Sequence, residues 1–168
     1  MIQLITGGAR SGKSSYAQQL ALSLAEDPIY VATAKIWDDD FEARVKRHQQ
    51  DRGPEWTNIE EQLYVSLLPL EGRVAVIDCV TLWLTNLFMQ HKQDVDTALY
   101  SIQQEINALH KKNATIIIVT NEIGMGVHAD TEIGRKFTDL QGWANQYIAQ
   151  RAQKVVLMVS GIPVTIKS

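Results

Sequence analysis

The amino-acid sequence predicts an α/β fold in which a mostly parallel central sheet is covered by helices. Short, continuous, β-branched runs alternate along the chain with segments whose apolar residues recur at helical spacing. Such runs are typical of strands that are covered on both faces, and their alternation with helices indicates parallel strands joined by crossovers. No repeat, low-complexity segment or Pro/Gly-rich linker interrupts this pattern, so we expect residues 1–168 to form one domain.

The strand ends direct attention to particular residues, because ligands of open α/β sheets bind at the carboxyl ends of the strands. The predicted strands, in chain order, are IQLIT (2–6), IYVAT (29–33), VAVID (74–78), TIIIVT (115–120) and KVVLMVS (154–160), with VTIK (164–167) as an edge strand. The predicted helices cover Ser14 to Ala25, the apolar positions from Val95 to Leu109, and those from Phe137 to Ile148. The apolar run around Trp83 fits either a buried helix or a seam between subunits.

Composition excludes several classes of protein. The hydrophobic and charged fractions, 45% and 21%, are ordinary for a globular chain. The net charge of −3 lacks the basic footprint of a nucleic-acid-binding protein. The single cysteine suits a reducing compartment, and no signal peptide or run of ~18 apolar residues is present. We therefore expect a cytoplasmic protein with no membrane span and no nucleic-acid partner.

The first predicted strand runs into a phosphate-binding motif, G-x-x-x-x-G-K-[ST], formed by Gly7, Gly8, Ala9, Arg10, Ser11, Gly12, Lys13 and Ser14. Its backbone N–H groups and the following helix N-terminus are expected to hold phosphate oxygens. Lys13 is expected to reach the β- and γ-phosphates, and the Ser14 hydroxyl to bind Mg²⁺. Asp78, at the end of the VAVID strand, is the acid expected to serve that Mg²⁺, although a strand-end carboxylate can equally cap the next helix.

The segment DDDFEARVKRHQQDRGPEW, residues 38 to 56, is the second candidate for chemistry. If Phe41 to Gln50 is helical, Arg44 and His48 lie one turn apart on one face and Arg52 follows at the helix end. Two guanidinium groups beside an imidazole would bind triphosphate oxygens and lower the pKa of the imidazole, leaving it neutral and nucleophilic. The alternative is an ordinary solvated helix face of mixed charge.

Several longer motifs carry a resemblance to a known family. The chain contains ITGGARSGKS, YVATAKIWDDDFEARVKRHQQDRGPEW, CVTLWLTNLF, VTNEIGMGV and VSGIPVTIK. Together they resemble, over the whole chain, the bifunctional adenosylcobinamide kinase/adenosylcobinamide-phosphate guanylyltransferases of cobalamin biosynthesis. The resemblance implies a three-layer P-loop NTPase fold related to RecA, use of GTP and ATP with Mg²⁺, a corrinoid substrate (adenosylcobinamide and its phosphate) and a homotrimer.

The same resemblance implies roles for individual residues. His48 matches the histidine that carries GMP covalently between GTP and the corrinoid phosphate, with release of pyrophosphate. Some members have a second histidine before it, where this chain has Arg47. Besides residues 7 to 14, the positions that match nucleotide contacts in the family are Ala32, Thr33, Ala34, Gln49, Gln50, Asp51, Arg52, Glu60 and Asp78.

Three carboxylates have open assignments. Guanine presents two adjacent donors, so Glu60 is a candidate for reading that base, or else an ordinary surface residue. The kinase step calls for a group that orients the substrate hydroxyl or takes its proton, and either Asp78 or Glu122 fits. Glu122 and Asn121, in VTNEIGMG, are alternatively caps of a loop.

The remaining candidates favour structural roles. Three histidines, His91, His110 and His128, have no ligand-like neighbours at metal-binding spacing, and Cys79 fits a small buried apolar residue better than a nucleophile. Two other functions stay open at this stage. The same loop would serve a kinase with a single activity, or a RecA-like motor or regulatory nucleotide-binding module.

Overall fold

The secondary structure was taken from a computed structural model, which describes residues 1–35 and 53–168. Its strands are β1 (Ile2–Gly7), β2 (Ile29–Ala32), β3 (Thr57–Glu60), β4 (Val74–Asp78), β5 (Thr115–Val119), β6 (Lys154–Val159) and β7 (Ile162–Lys167). Its helices are α1 (Lys13–Leu24), α2 (Val80–Gln90), α3 (Val95–Lys111) and α4 (Glu132–Arg151), with short 3₁₀ turns at Val65–Leu67 and Ile123–Met125. The predicted Phe41–Gln50 helix lies outside the described residues.

The seven strands form one sheet in the order β3-β2-β4-β5-β1-β6-β7. All neighbouring pairs are parallel except β6 and β7, which form an antiparallel hairpin at one edge. Ser160 and Gly161 join these two strands with φ values of 50° and 83°, the left-handed conformation that two-residue hairpin turns require. The predicted mostly parallel sheet and its edge strand are confirmed.

Alternating side chains divide the core into two layers, one on each face of the sheet. Leu4, Ile116 and Ile118 pack in the larger cluster with α2, α3 and α4. Ile5 and Ile117, their neighbours in sequence, pack on the opposite face in the smaller cluster with α1. Because successive strand residues point to opposite faces, runs that are apolar throughout build helix–sheet–helix layers. This confirms the three-layer architecture.

Strand β3 is the element that the sequence did not predict. Its sequence, TNIE, is polar and mostly exposed, and it pairs only with β2 at the edge opposite the hairpin. An edge strand with one pairing neighbour buries little side-chain surface, so its sequence carries no continuous apolar signal. It pairs in register with β2 from Ile29 with Thr57 to Ala32 with Glu60, and only Ile59 of its four side chains is partly buried, against the larger core cluster.

Trp83 lies inside the chain's own core. Its side chain is fully buried in α2, and its indole Nε1 donates a 2.9 Å hydrogen bond to the Leu63 carbonyl. Of the two sequence interpretations, the buried helix is therefore correct. In the described part of the chain, no helix is long and apolar enough to cross a membrane.

Replacing Trp83 with Phe should destabilise the protein by about 2–3 kcal/mol, because it leaves the Leu63 carbonyl without its donor and opens a gap in a packed interior. The matched control is Trp143→Phe, since Trp143 is 47% exposed on α4. Denaturant unfolding at one fixed protein concentration measures both variants. Equal losses of stability in the two would contradict the buried position of Trp83.

Candidate functional site

The phosphate loop joins β1 to α1 and is packed closely against the β6–β7 hairpin. Gly7 has φ +149°, and a Cβ there would lie 2.6 Å from the carbonyl oxygen of Met158. Gly12 has φ +93°, and its Cβ would lie 3.2 Å from Gly161 Cα. A hydrogen bond of 2.9 Å from Gly161 N to Ser11 O closes the contact. Glycine is needed at positions 7 and 12 for both conformation and space.

The N-terminus of α1 is open to an anion. Gly12 is the residue before the first turn, so no side chain caps the helix, and the first turn holds no acidic residue. The unpaired N–H groups and the helix dipole therefore present partial positive charge at the end of the loop. Within the loop, Ser11 Oγ is buried without a hydrogen-bond partner, which leaves one further polar group unsatisfied.

Lys13 brings a buried positive charge to this loop. Its side chain is 7% exposed, and Nζ donates a 2.5 Å hydrogen bond to the Gly8 carbonyl. Burial lowers the pKa of Lys13, and the nearby Asp78 carboxylate acts in the opposite direction. No carboxylate among the described residues makes an ion pair with Nζ, so the ammonium is desolvated without a direct counterion. Triphosphate oxygens would supply one.

Asp78 ends β4 beside this lysine. Its Oδ2 accepts a 2.7 Å hydrogen bond from the Tyr30 hydroxyl on β2. The residue that caps α2 is Cys79, without a side-chain hydrogen bond, so the structure does not use Asp78 as a helix cap. Burial, reinforced by the Asp78 charge, raises the pKa of the Cys79 thiol to about 12. Such a thiol is no nucleophile at neutral pH, in agreement with the structural role expected for Cys79.

Thr33 fixes the position of Asp78 from the neighbouring strand end. Its hydroxyl donates to the Cys79 carbonyl at 2.8 Å and accepts from the Cys79 N–H at 2.9 Å, while Thr33 N bonds to the Asp78 carbonyl. Asn86 on α2 donates to the Thr33 carbonyl at 2.8 Å. The predicted segment Ala32–Ala34 thus lies against the β4–α2 junction, and its threonine side chain is used to hold that junction together.

Glu122 follows β5 and is held from two sides. Its Oε1 accepts hydrogen bonds from Thr6 Oγ1 at 2.7 Å and from Asn145 Nδ2 at 3.1 Å. Its N–H donates to the Gly7 carbonyl at 3.1 Å, which places it next to the phosphate loop. Glu122 precedes the Ile123–Met125 turn, but its side chain makes no capping hydrogen bond there. The Glu122 carboxylate therefore does not act as a simple loop cap.

An open cavity of about 670 Å³ lies between the phosphate loop, the Glu122 loop and the end of β6. Gly8 to Ser11 form one wall, and Asn121 and Glu122 form another. Leu157 to Val159 and Met125 give it an apolar side. The cavity therefore joins a polar end beside the phosphate loop to a wall that suits a large, partly apolar molecule.

Two residues of this site were missed from the sequence: Tyr30 and Asn145. Tyr30 lies within an apolar strand run, where a single hydroxyl is typical of an ordinary strand residue. Asn145 sits on the buried face of α4, 6% exposed. The sequence did contain a signal for Asn145, because it is a polar residue on an otherwise apolar helix face, and a buried amide needs hydrogen-bond partners.

The other predicted residues lie apart from the loop or outside the described residues. Glu60 ends β3 and is exposed, four strand positions from β1, or roughly 19 Å if neighbouring strands lie about 4.8 Å apart. Ser14 is half-buried in the first turn of α1. Arg44, His48, Gln49, Gln50, Asp51 and Arg52 belong to the part of the chain that the structure does not describe.

The remaining histidines have no metal-like surroundings in the described ranges. No group of three or more His, Cys, Asp or Glu side chains there is placed to hold a metal ion. His91 Nε2 lies 2.9 Å from Ser101 Oγ, and His110 and His128 are exposed.

Comparisons with known proteins point in one direction. A family model described as cobinamide kinase / cobinamide phosphate guanyltransferase matches residues 3–166. The bifunctional adenosylcobalamin biosynthesis protein CobU of Escherichia coli (strain K12) is 36% identical, over 99% of this chain and 100% of that protein. The bifunctional protein CobP of Pseudomonas aeruginosa is 37% identical, over 99% and 98% respectively.

A solved structure supports the fold independently. A KaiC-like protein from the archaeon Pyrococcus horikoshii superimposes with a TM-score of 0.52 at 15% identity, over 93% of this chain and 69% of that one. At that identity the likeness concerns the fold alone. It agrees with the α/β P-loop architecture expected from the sequence.

Replacing Thr33 with Val should cost about 1–3 kcal/mol of stability, because the buried Cys79 N–H loses its acceptor and the Cys79 carbonyl keeps only the Trp83 N–H as a donor. Thr85→Val is the control, since the Thr85 hydroxyl bonds only to the Thr81 carbonyl within α2. Thermal unfolding of the two variants at equal concentration tests this. A Thr33 variant as stable as the control would contradict the hydroxyl bridge.

Replacing Gly7 with Ala should weaken nucleoside-triphosphate binding at least about 10-fold, because the added methyl collides with the Met158 carbonyl and pushes the loop out of shape. Gly142→Ala is the control: Gly142 lies in α4 with no atom within 4 Å of the added methyl. Titration calorimetry with GTP measures both. Unchanged affinity in the Gly7 variant would contradict the close packing of the loop.

Proposed function

This chain belongs to the cobinamide kinase / cobinamide phosphate guanyltransferase family, and we propose that it carries out both reactions in a single nucleotide site within one domain. The family membership makes it a bifunctional transferase of adenosylcobalamin biosynthesis. The observation that supports a single site is the desolvated Lys13 ammonium, which lies in a glycine-built loop that also borders the cavity lined by Glu122. One loop would therefore grip the triphosphate while different groups act on its two ends.

The residues present fit a triphosphate with Mg²⁺. The close-packed glycines, the uncapped N-terminus of α1 and the orphaned Ser11 hydroxyl all favour an anion in the loop. Ser14 and Asp78 would hold the Mg²⁺, which supplies positive charge to the phosphate oxygens when bound. Lys13 would neutralise the β- and γ-phosphates. We propose GTP for the guanylyl step, and either GTP or ATP for the kinase step.

In the guanylyl step, His48 would attack the α-phosphorus of GTP, forming an N–P bond as the bond to pyrophosphate breaks. The phosphate oxygen of adenosylcobinamide phosphate then takes the GMP from His48 and gives adenosylcobinamide-GDP. Arg44 and Arg52 would hold the α-phosphate, and Glu60 would accept the two guanine donors. The family pattern also supports nucleotide contacts at Ala32–Ala34 and Gln49–Asp51.

The surface supports proposals about partners. We propose a homotrimer, as the family resemblance implies, and strand β7, which is exposed along its length and carries the apolar Ile162, Val164 and Ile166, is a candidate for its interface. Sedimentation should then give three times the 18.9 kDa mass of the chain. The acidic net charge argues against nucleic acid as a partner, and a cytoplasmic location suits the reduced cysteine.

Incubation with α-labelled GTP and Mg²⁺ should label the protein with GMP through an acid-labile, base-stable phosphoramidate. His48→Ala should abolish the label, because no other imidazole is proposed to meet the α-phosphorus, whereas His110→Ala on the exposed end of α3 should retain it. Gel autoradiography and pyrophosphate release report both. A labelled His48 variant would refute the nucleophile, and an unlabelled wild type with active phosphoryl transfer would indicate a kinase alone.

A further inference from the structure

A directed chain of hydrogen bonds runs through the interior to Glu122. Gln141 Nε2 donates to Thr120 Oγ1 at 3.0 Å, and Thr120 Oγ1 donates to Asn145 Oδ1 at 2.7 Å. Asn145 Nδ2 then donates to Glu122 Oε1 at 3.1 Å, and Thr6 Oγ1 donates to the same oxygen at 2.7 Å. Thr120, Gln141 and Asn145 are at most 6% exposed. Breaking any of these hydrogen bonds would leave a buried polar group unpaired, which is energetically unfavourable. The network therefore holds the Glu122 carboxylate in one position.

The hydrogen bonds of this network allow only one orientation of the Asn145 side-chain amide. Its Oδ1 accepts two hydrogen bonds, the second from Gln141 Nε2 at 2.9 Å, and its Nδ2 donates both to Glu122 and to the Asn121 carbonyl. Both donors and both acceptor positions of the amide are therefore used. If the amide were flipped, its NH₂ group would face the Gln141 donor, and its oxygen would face the Asn121 and Glu122 oxygens. Glu122 is thus presented purely with donors on Oε1, the arrangement that suits an acceptor.

The other oxygen of Glu122 is the one left for chemistry. Both hydrogen bonds that its carboxylate accepts from the described residues go to Oε1. Glu122 also lines the 670 Å³ cavity, beside Gly8 to Ser11 of the phosphate loop. A substrate hydroxyl in this cavity would therefore lie close to a carboxylate that two donors hold in place beside the phosphate loop.

Asp78 is placed differently. The Tyr30 hydroxyl occupies its Oδ2, and Asp78 is not among the residues that line this cavity. Strand β5 lies between β4 and β1, so Asp78 ends a strand that does not touch the phosphate-loop strand, whereas Glu122 follows the strand that does. The two carboxylates therefore occupy different parts of the site.

From this geometry we propose that Glu122 is the general base of the kinase step and that Asn145 is its positioning residue. The proposal rests on the kinase activity proposed above. The substrate oxygen forms a bond to the γ-phosphorus while the bond from that phosphorus to the β–γ bridging oxygen breaks. The electron pair of the broken bond leaves with the nucleoside diphosphate, and the hydroxyl proton passes to Glu122 Oε2.

The guanylyl step provides the internal control, because it needs no such base. Its nucleophile toward GTP is an imidazole nitrogen, and its second acceptor is a phosphate oxygen that has no proton to lose at neutral pH. Loss of Glu122 should therefore affect one activity and spare the other, although both use the same loop.

The test is Glu122→Gln, which keeps the size of the side chain and an oxygen for the donors at Oε1 but cannot take a proton. With γ-labelled ATP, and separately γ-labelled GTP, kcat for phosphorylation of adenosylcobinamide should fall at least about 100-fold. KM for nucleotide should change less than about 3-fold. Labelling of the protein by α-labelled GTP should equal that of wild type. Glu132→Gln, an exposed carboxylate at the start of α4, is the matched control.

Asn145→Ala tests the positioning role, with the exposed neighbour Gln146→Ala as its control. Its kinase kcat should fall about 10-fold, and the double variant with Glu122→Gln should be no slower than Glu122→Gln alone, since the amide acts only through the carboxylate. Additive losses would overturn the positioning role. A merely structural asparagine would lower GMP labelling in parallel with kinase activity.

The outcomes distinguish a failure of the Glu122 assignment from a failure of the proposed kinase activity. Wild type that phosphorylates the corrinoid, together with a Glu122→Gln variant within about 3-fold of it, overturns the base alone. A variant that loses both GMP labelling and kinase activity assigns Glu122 to nucleotide binding or folding and also overturns it. Wild type that is labelled with GMP but does not phosphorylate the corrinoid overturns the kinase half of the proposed function, and the base with it.

Discussion

Burial of the Lys13 ammonium is the constraint on which the rest of the site depends. Removing that charge from water is unfavourable, and a carbonyl hydrogen bond with the field of Asp78 compensates only in part, since the pKa of Lys13 remains lowered. The site is therefore built to receive negative charge. The tight loop around Gly7 and the uncapped start of α1 both suit a site that surrounds a polyanion in a partly dry cleft.

The order of the strands separates the acids that this chemistry needs. Since β5 is inserted between β1 and β4, the carboxyl ends of three adjacent strands supply a phosphate loop, then Glu122, then Asp78. Thr6 and Asn145 hold Glu122, while Tyr30 holds Asp78. Carboxylates with distinct partners take on distinct tasks, and the topology provides that separation without any long loop.

Two group transfers at one nucleotide site, each from its own triphosphate, would place opposite demands on that site. Transfer of the γ-phosphoryl group needs an acceptor hydroxyl at the outer end of the phosphates, beside the cavity that Glu122 lines. Transfer of GMP needs a nucleophile at the α-phosphorus, closer to the base. A loop that binds the phosphates through backbone N–H groups and one lysine does not favour cleavage at the α- or the γ-phosphorus. Specificity for each reaction must therefore come from the groups near the two ends of the triphosphate.

The sequence by itself determined the strand–helix alternation, the phosphate loop and the family motifs, because continuous apolar runs and a glycine-rich turn are local signals. It also marked Asp78 and Glu122 as candidates, since both follow strands. It missed β3, a polar edge strand whose side chains are mostly exposed. Only the tertiary structure brought Asn145 of α4 to Glu122 and Tyr30 of β2 to Asp78, because hydrogen bonds between residues distant along the chain exist only after the sheet and its helices have packed.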